Sequence, residues 1–247
     1  MNKKRKPRGW GKDELSKFIE IAHNNELANF DNKQPEYHLL KEIDRIYQSI
    51  VDNLINTESV LPSLLYMRSH STYRGACRLI LSGQVPESYV LSRSCLEYAL
   101  YALHMFKSKN SESVWAARHN SKTAESKCRN EFSYGKVMST LKKVDEELAE
   151  VASELYGGFI DHGGHPNEKA VTSSLRVPKT EKGFELKQLY LHGNTAEFNA
   201  GLANIRSVGL CSLFIFRIIW KERFDIIGAS SELEELNRNL TRRSMRR

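Results

Sequence analysis

Residues 86–106 read PESYVLSRSCLEYALYALHMF, and this stretch decides the fold. Leu91, Cys95, Leu96, Leu100, Leu103 and Phe106 recur at helical steps of three and four. At about 100° per residue, Tyr89, Arg93, Glu97 and His104 fall within an arc of about 80°. A helix this apolar, with so narrow a polar stripe, has to pack on several neighbours, and its charges then need partners. Just upstream, Ser82-Gly83-Gln84-Val85-Pro86 combines a glycine suited to a helix end with a proline suited to a helix start.

Working outward, the same periodicity predicts further helices. Asp13–Asn29 has Asp13 as its cap, Glu36–Asn56 has a wide apolar stripe, and Leu61–Leu81 tolerates Pro62 in its first turn. Ser111–Glu131 reads as a polar surface helix, and Tyr134–Tyr156 as a long amphipathic one ending at Gly157-Gly158. Phe198–Phe224 closes the core, and Glu232–Leu240 follows. Residues 163–193 interrupt the pattern with Gly163-Gly164, Pro166, Pro178 and Gly183; here Val171–Val177 and Phe184–Leu191 are suited to a hairpin or flap. There is no repeat and no alternation of strands with helices. The expectation is an all-α multi-helix bundle with one irregular or β-hairpin insertion near 163–193. It comprises a basic segment 1–12, a single helical domain 13–237 and a basic segment 238–247.

The net charge of +7 on 247 residues is unevenly placed. Lys3, Lys4, Arg5, Lys6, Arg8 and Lys12 open the chain without an acid, and Arg238, Arg242, Arg243, Arg246 and Arg247 end it without one. Between them, 26 basic groups face 30 acidic ones, so the body is slightly acidic. Such ends attract polyanions, RNA or DNA among them, without reading sequence. With six prolines and 14 glycines, the composition excludes collagen and a chain disordered throughout. The four cysteines lack Cys-x-x-Cys spacing and no apolar leader is visible, which predicts reduced thiols and a cytoplasmic location. Gly201–Trp220 is broken by Arg206 and Arg217, whereas a span needs roughly 20 predominantly apolar residues, so it reads as a core helix.

Three groups of residues carry chemistry. Arg93 and Glu97, four apart, can pair with each other as an internal ion pair, or hold an anion with Glu97 orienting the arginine. His70, Arg74 and Arg78 share one helix face, either an exposed basic edge or a phosphate-tracking surface. Around Asp161-His162-Gly-Gly-His165-Pro166, two histidines near glycines suit an acid/base site or a plain helix terminus. No metal-ligand spacing occurs and no cofactor is called for.

Residues 76–106, ACRLILSGQVPESYVLSRSCLEYALYALHMF, are similar to a bacterial family of all-helical proteins with no settled function. The similarity lies in an Arg-x-x-x-Glu helix, matched by Arg93 and Glu97, and a downstream His-Pro step, matched by His165-Pro166. More loosely, the chain resembles the HEPN superfamily, frequent in toxin–antitoxin and phage-defence systems. Many HEPN members are metal-independent ribonucleases with an arginine, four to six intervening residues and then a histidine. No histidine here has an arginine at that spacing, and Arg93 and His104 lie about 16 Å apart along a helix.

Three readings follow. The first is a nucleic-acid-associated effector or accessory protein, with the basic ends and the His70/Arg74/Arg78 face on phosphates. In the second, a metal-independent endoribonuclease, Arg93 stabilises the phosphate, Glu97 orients it and His165 or His104 acts as base. The last is a non-catalytic scaffold that pairs with itself or with a protein partner.

Overall fold

Asp13 starts the first helix as predicted: its carboxylate accepts the Ser16 amide at 2.8 Å, and α1 runs Glu14–Asn32. After Lys33 comes α2, Gln34–Val51, burying Leu39, Leu40, Ile43, Ile46, Tyr47 and Ile50. It ends before the predicted Asn56. Asn53 turns its amide onto the Ser49 carbonyl at 2.7 Å, and Asn56 takes a left-handed φ of 52°. The computed structural model describes residues 6–57, 60–164, 166–180 and 183–244, with the backbone alone at 164, 180 and 241–244. Lys3, Lys4, Arg5, His165, Arg246 and Arg247 lie outside the described residues, and Arg242 and Arg243 are placed by backbone only.

The central hairpin is α3, Val60–Ser82, and α4, Val85–Lys107. Gly83 joins them at φ +93°, and the amides of Gly83 and Gln84 return to the carbonyls of Ile80 and Leu79 at 2.9 Å. The predicted helix 111–131 is instead two helices. These are α5, Ser111–Ala116, and α6, Lys122–Glu131, divided where Ser121 accepts the Ala124 amide at 3.1 Å. The predicted helix 134–156 is also divided, into α7, Tyr134–Lys142, and α8, Glu146–Phe159. Asp145 caps α8 by accepting the Leu148 amide at 2.9 Å. In both places a short polar side chain starts a new helix where the apolar period alone suggests continuity.

Helix α8 passes through Gly157-Gly158 and widens into a π-helical turn, Ile160–Gly164, against α4. The insertion then forms α9, Glu168–Thr172, and four short strands: β1 Leu175–Arg176, β2 Lys179–Thr180, β3 Gly183–Phe184 and β4 Lys187–Gln188. β1 pairs antiparallel with β4, Leu175 opposite Gln188, and β2 with β3, Lys179 opposite Phe184. The expected hairpin is present, though Val171 belongs to α9.

Helix α10, Ala196–Ile219, begins where Thr195 accepts the Phe198 amide at 3.2 Å. It packs on α2, α3, α4 and α8. By length and composition it could cross a membrane, with a mean hydropathy of 1.6, but it occupies the interior of the bundle. Gly209 lets α10 lie close to α2 and α3: a Cβ there would sit 2.6 Å from the Tyr73 ring and 2.8 Å from Ile43. α11, Lys221–Ile226, and α12, Ala229–Ser244, complete the described residues, so residues 238–244 continue a helix.

A layer of buried tyrosines ties α2 to α3. Tyr66 donates to the Tyr47 carbonyl at 3.1 Å and Tyr73 to the Leu40 carbonyl at 3.0 Å. All four cysteines are unpaired. Burial pushes the Cys77 thiol up to about 12 and raises Cys95 and Cys211, so these thiols stay protonated at neutral pH.

Candidate functional site

One turn of α4 separates Arg93 from Glu97, and they do pair, with Arg93 Nε donating to Glu97 Oε1 at 2.9 Å. Tyr156 of α8 donates its hydroxyl to the same oxygen at 3.0 Å, and the Arg93 guanidinium lies 5.1 Å from the Tyr156 ring centre. On its other side Tyr156 stacks on Tyr134 at 4.2 Å. Burial and the Glu97 charge push the Tyr156 hydroxyl up to about 12. The result is a stack of arginine and two tyrosines that locks α8 onto α4.

His104 stands on the same helix and belongs to another cluster. Its ring is buried, with Nε2 donating to Glu131 Oε1 at 3.1 Å and Nδ1 2.7 Å from the Thr140 hydroxyl. Lys136 holds the second Glu131 oxygen at 3.3 Å. The expected stripe of Tyr89, Arg93, Glu97 and His104 is therefore divided: Tyr89 meets Asn204 at 3.3 Å, Arg93 and Glu97 meet α8, and His104 meets α6 and α7. Glu131 and Thr140 lie 27 and 36 residues from His104, beyond any local motif.

The His70/Arg74/Arg78 face differs most from its expectation. His70 is buried, stacks on Tyr47 at 5.0 Å and bonds Asp44 Oδ1 at 2.7 Å. Arg74 makes a two-pronged contact with Asp44 at 2.6 and 3.1 Å, and Arg78 reaches Glu26 at 3.1 Å. These three side chains bind α3 to α2 and α1 and are not a bare phosphate-tracking edge. Burial pushes the Asp44 carboxyl up, but the His70 and Arg74 hydrogen bonds outweigh it and hold it down to about 2.

Unpaired cations appear elsewhere. Pro7–Lys12 folds back on α1: Gly11 donates to Ser16 Oγ at 2.9 Å, Trp10 to the Pro7 carbonyl at 3.2 Å, and Lys6 reaches Glu20. On this turn Arg8 and Lys12 are exposed with no acidic partner among the described residues, and Trp10 stands 39% exposed between them. The charge count alone draws no attention to this tryptophan, although a Gly-Trp-Gly set between bases is legible in the sequence. Arg238 is likewise exposed, and α12 carries positions 238 and 242 on one face. Cations at a helix C-terminus also complement its dipole. No group of three or more metal-ligating side chains converges among the described residues.

In the neighbouring Asp-His-Gly-Gly segment, Asp161 is held by Lys169 at 2.8 Å and the His162 ring lies 6.2 Å from Tyr89. At the far end of the insertion, His192 is buried, and its amide donates to the Gly83 carbonyl at 2.7 Å. Its Nε2 meets Ser174 Oγ at 2.9 Å, while Nδ1 has no partner. Burial lowers its pKa, outweighing Glu197 and Glu87; Arg176 adds to the lowering. The unfolded ring gains a proton near 6.5, above the folded value, so docking of the insertion weakens as pH falls below about 6.5. Hydrogen exchange over 174–194, corrected for intrinsic rates, is expected to speed up between pH 7.5 and 5.5. In His192→Gln that pH dependence should vanish.

No protein-family model, no curated protein and no solved structure matches the chain.

Proposed function

We propose that the protein binds single-stranded RNA or DNA through its N-terminal turn, with the arginines of α12 as a second contact. The observation that carries this reading is Trp10, held between Arg8 and Lys12 on a turn hydrogen-bonded to α1. An exposed aromatic ring offers a base a stacking surface, worth about 1–3 kcal/mol per base, and flanking cations hold the phosphates on either side. Non-specific affinity of this kind is dominated by counterion release and falls steeply with salt.

The ribonuclease reading asks Arg93 and a histidine to share a cleft. His104 is turned onto Glu131 and Thr140 instead, and His165 lies outside the described residues. Binding is therefore the reading with the stronger support.

The experiment is a salt series of binding to a fluorescent single strand and to the matching duplex. Arg8→Glu with Lys12→Glu should weaken binding to both and flatten the salt dependence. Trp10→Ala should weaken the single strand by about 5- to 150-fold and the duplex far less. Binding that is absent, insensitive to salt or unchanged in both variants would overturn the reading.

A further inference from the structure

A cavity of about 370 Å³ lies where α1, α2 and α3 meet, within the range of about 300–1,000 Å³ found for small-molecule sites. Its walls are apolar: Leu27 and Phe30 on α1, Tyr37 and Leu40 on α2, Cys77 and Leu81 on α3. The Phe30 and Tyr37 rings meet edge to face at 4.7 Å. The floor offers no polar handle, because Tyr73 donates its hydroxyl to the Leu40 carbonyl and the Cys77 thiol stays protonated.

Helix α1 buries only Ser16 and Ala22, and its later turns are tied to α3 by polar bonds. Asn25 and Asn29 donate to the Ser82 and Leu81 carbonyls at 3.0 and 2.8 Å, which fixes this wall. Leu27 and Phe30 remain exposed beside these ties, so the fold leaves apolar surface uncovered around the cavity.

The mouth is polar, and its two sides lie level. Asp44 on α2 and Arg74 on α3 bond each other, and Lys41 and Arg78 each stand one turn further toward the cavity. α2 and α3 run antiparallel, since Leu40 meets Tyr73 while Tyr47 meets Tyr66, so these two cations face each other across one opening. Both rim carboxylates are engaged. Asp44 is held by His70 and Arg74, and Glu26 takes Arg78 on Oε1 and has His23 Nδ1 3.3 Å from Oε2. Arg78 uses only its Nε there, leaving both Nη groups without a partner among the described residues. Lys41 lies 3.7 Å from Glu42, which Arg45 holds at 2.9 Å. Pairing neutralises the charge of this face and still leaves hydrogen-bond donors in excess at the mouth, which suits an anionic head.

We propose that this cavity binds a small amphiphilic carboxylate, its hydrocarbon body between the three helices and its head on Lys41 and Arg78. A short fatty acid and an aryl carboxylate share that chemistry. The site is independent of strand binding at the N-terminal turn.

Calorimetric titration with hexanoate, octanoate, 2-naphthoate and octylammonium tests the proposal and separates the two sources. The expected result is binding of octanoate or 2-naphthoate and not of octylammonium. A fatty chain as the natural body gives a gain of about 15-fold from hexanoate to octanoate, about fourfold per buried methylene. Tighter binding of 2-naphthoate without that step identifies a ring. Lys41→Gln with Arg78→Gln should weaken either carboxylate at least about tenfold. Cys77→Phe, which fills the cavity, and Leu27→Asp, which makes an exposed part of its wall polar, should each abolish binding, with circular dichroism confirming that both are folded. The proposal is wrong if neither carboxylate binds, if octylammonium binds as tightly, or if Lys41→Gln with Arg78→Gln or folded Leu27→Asp binds as well as wild type.

Discussion

Tyr66→Ala is expected to remove about 3–5 kcal/mol of folding free energy in urea denaturation, the range for deleting a buried aromatic ring. Tyr66 is fully buried on α3, edge-on to Phe216 of α10 at 4.6 Å and close to Tyr47 and Trp220 at 5.4 and 5.8 Å. Removing it opens a cavity where α2, α3 and the end of α10 meet, and rigid helices on every side limit collapse. Natural domains hold about 5–15 kcal/mol in total, so this one change takes a large share. Tyr66→Phe separates the ring from the hydroxyl. It keeps the packing and loses only the bond to the Tyr47 carbonyl, for about 1 kcal/mol. Equal losses in the two variants would mean that the ring packing contributes little.

Asp44→Ala should remove about 2–3 kcal/mol, because it leaves the buried His70 ring without its acceptor and Arg74 without its carboxylate. The pH dependence is the sharper test. The carboxyl titrates near 3.8 in the unfolded chain and near 2 in the folded one. Its contribution is therefore complete above about pH 4 and is lost as pH falls toward 2. Stability measured for wild type and Asp44→Asn should differ above that window and converge within it. A gap independent of pH would show that the carboxylate charge is not what holds α2 to α3.

The helical framework was legible because its signals are local. Periodicity locates the buried face of α2, Asp13 the start of α1, and Gly83 with Pro86 the sharp join of α3 and α4. Periodicity cannot see a helix restart, and so merged α5 with α6 and α7 with α8 across Ser121 and Asp145. The sites were harder to read because partners come from other helices. Arg93 and Glu97, four apart, were paired correctly, but Tyr156 completes their cluster from 59 residues away. His70, Arg74 and Arg78 shared a face as expected, yet Asp44 and Glu26 on preceding helices neutralise it. A wheel shows which way side chains point and not which charges wait opposite.

The join at Gly83 has a kinetic consequence. α3 and α4 are separated by two residues, so bringing them together closes almost no loop and can occur early. α10 packs on both but is separated from them by the whole segment from Ser108 to Thr195, so its docking closes a much longer loop and is expected later. Until then the hairpin exposes the apolar surface that α10 later covers, including Ile80, Tyr73 and Tyr66. A growing chain carries this sticky surface from the synthesis of α4 until α10 emerges, the interval in which a chaperone would have most to do.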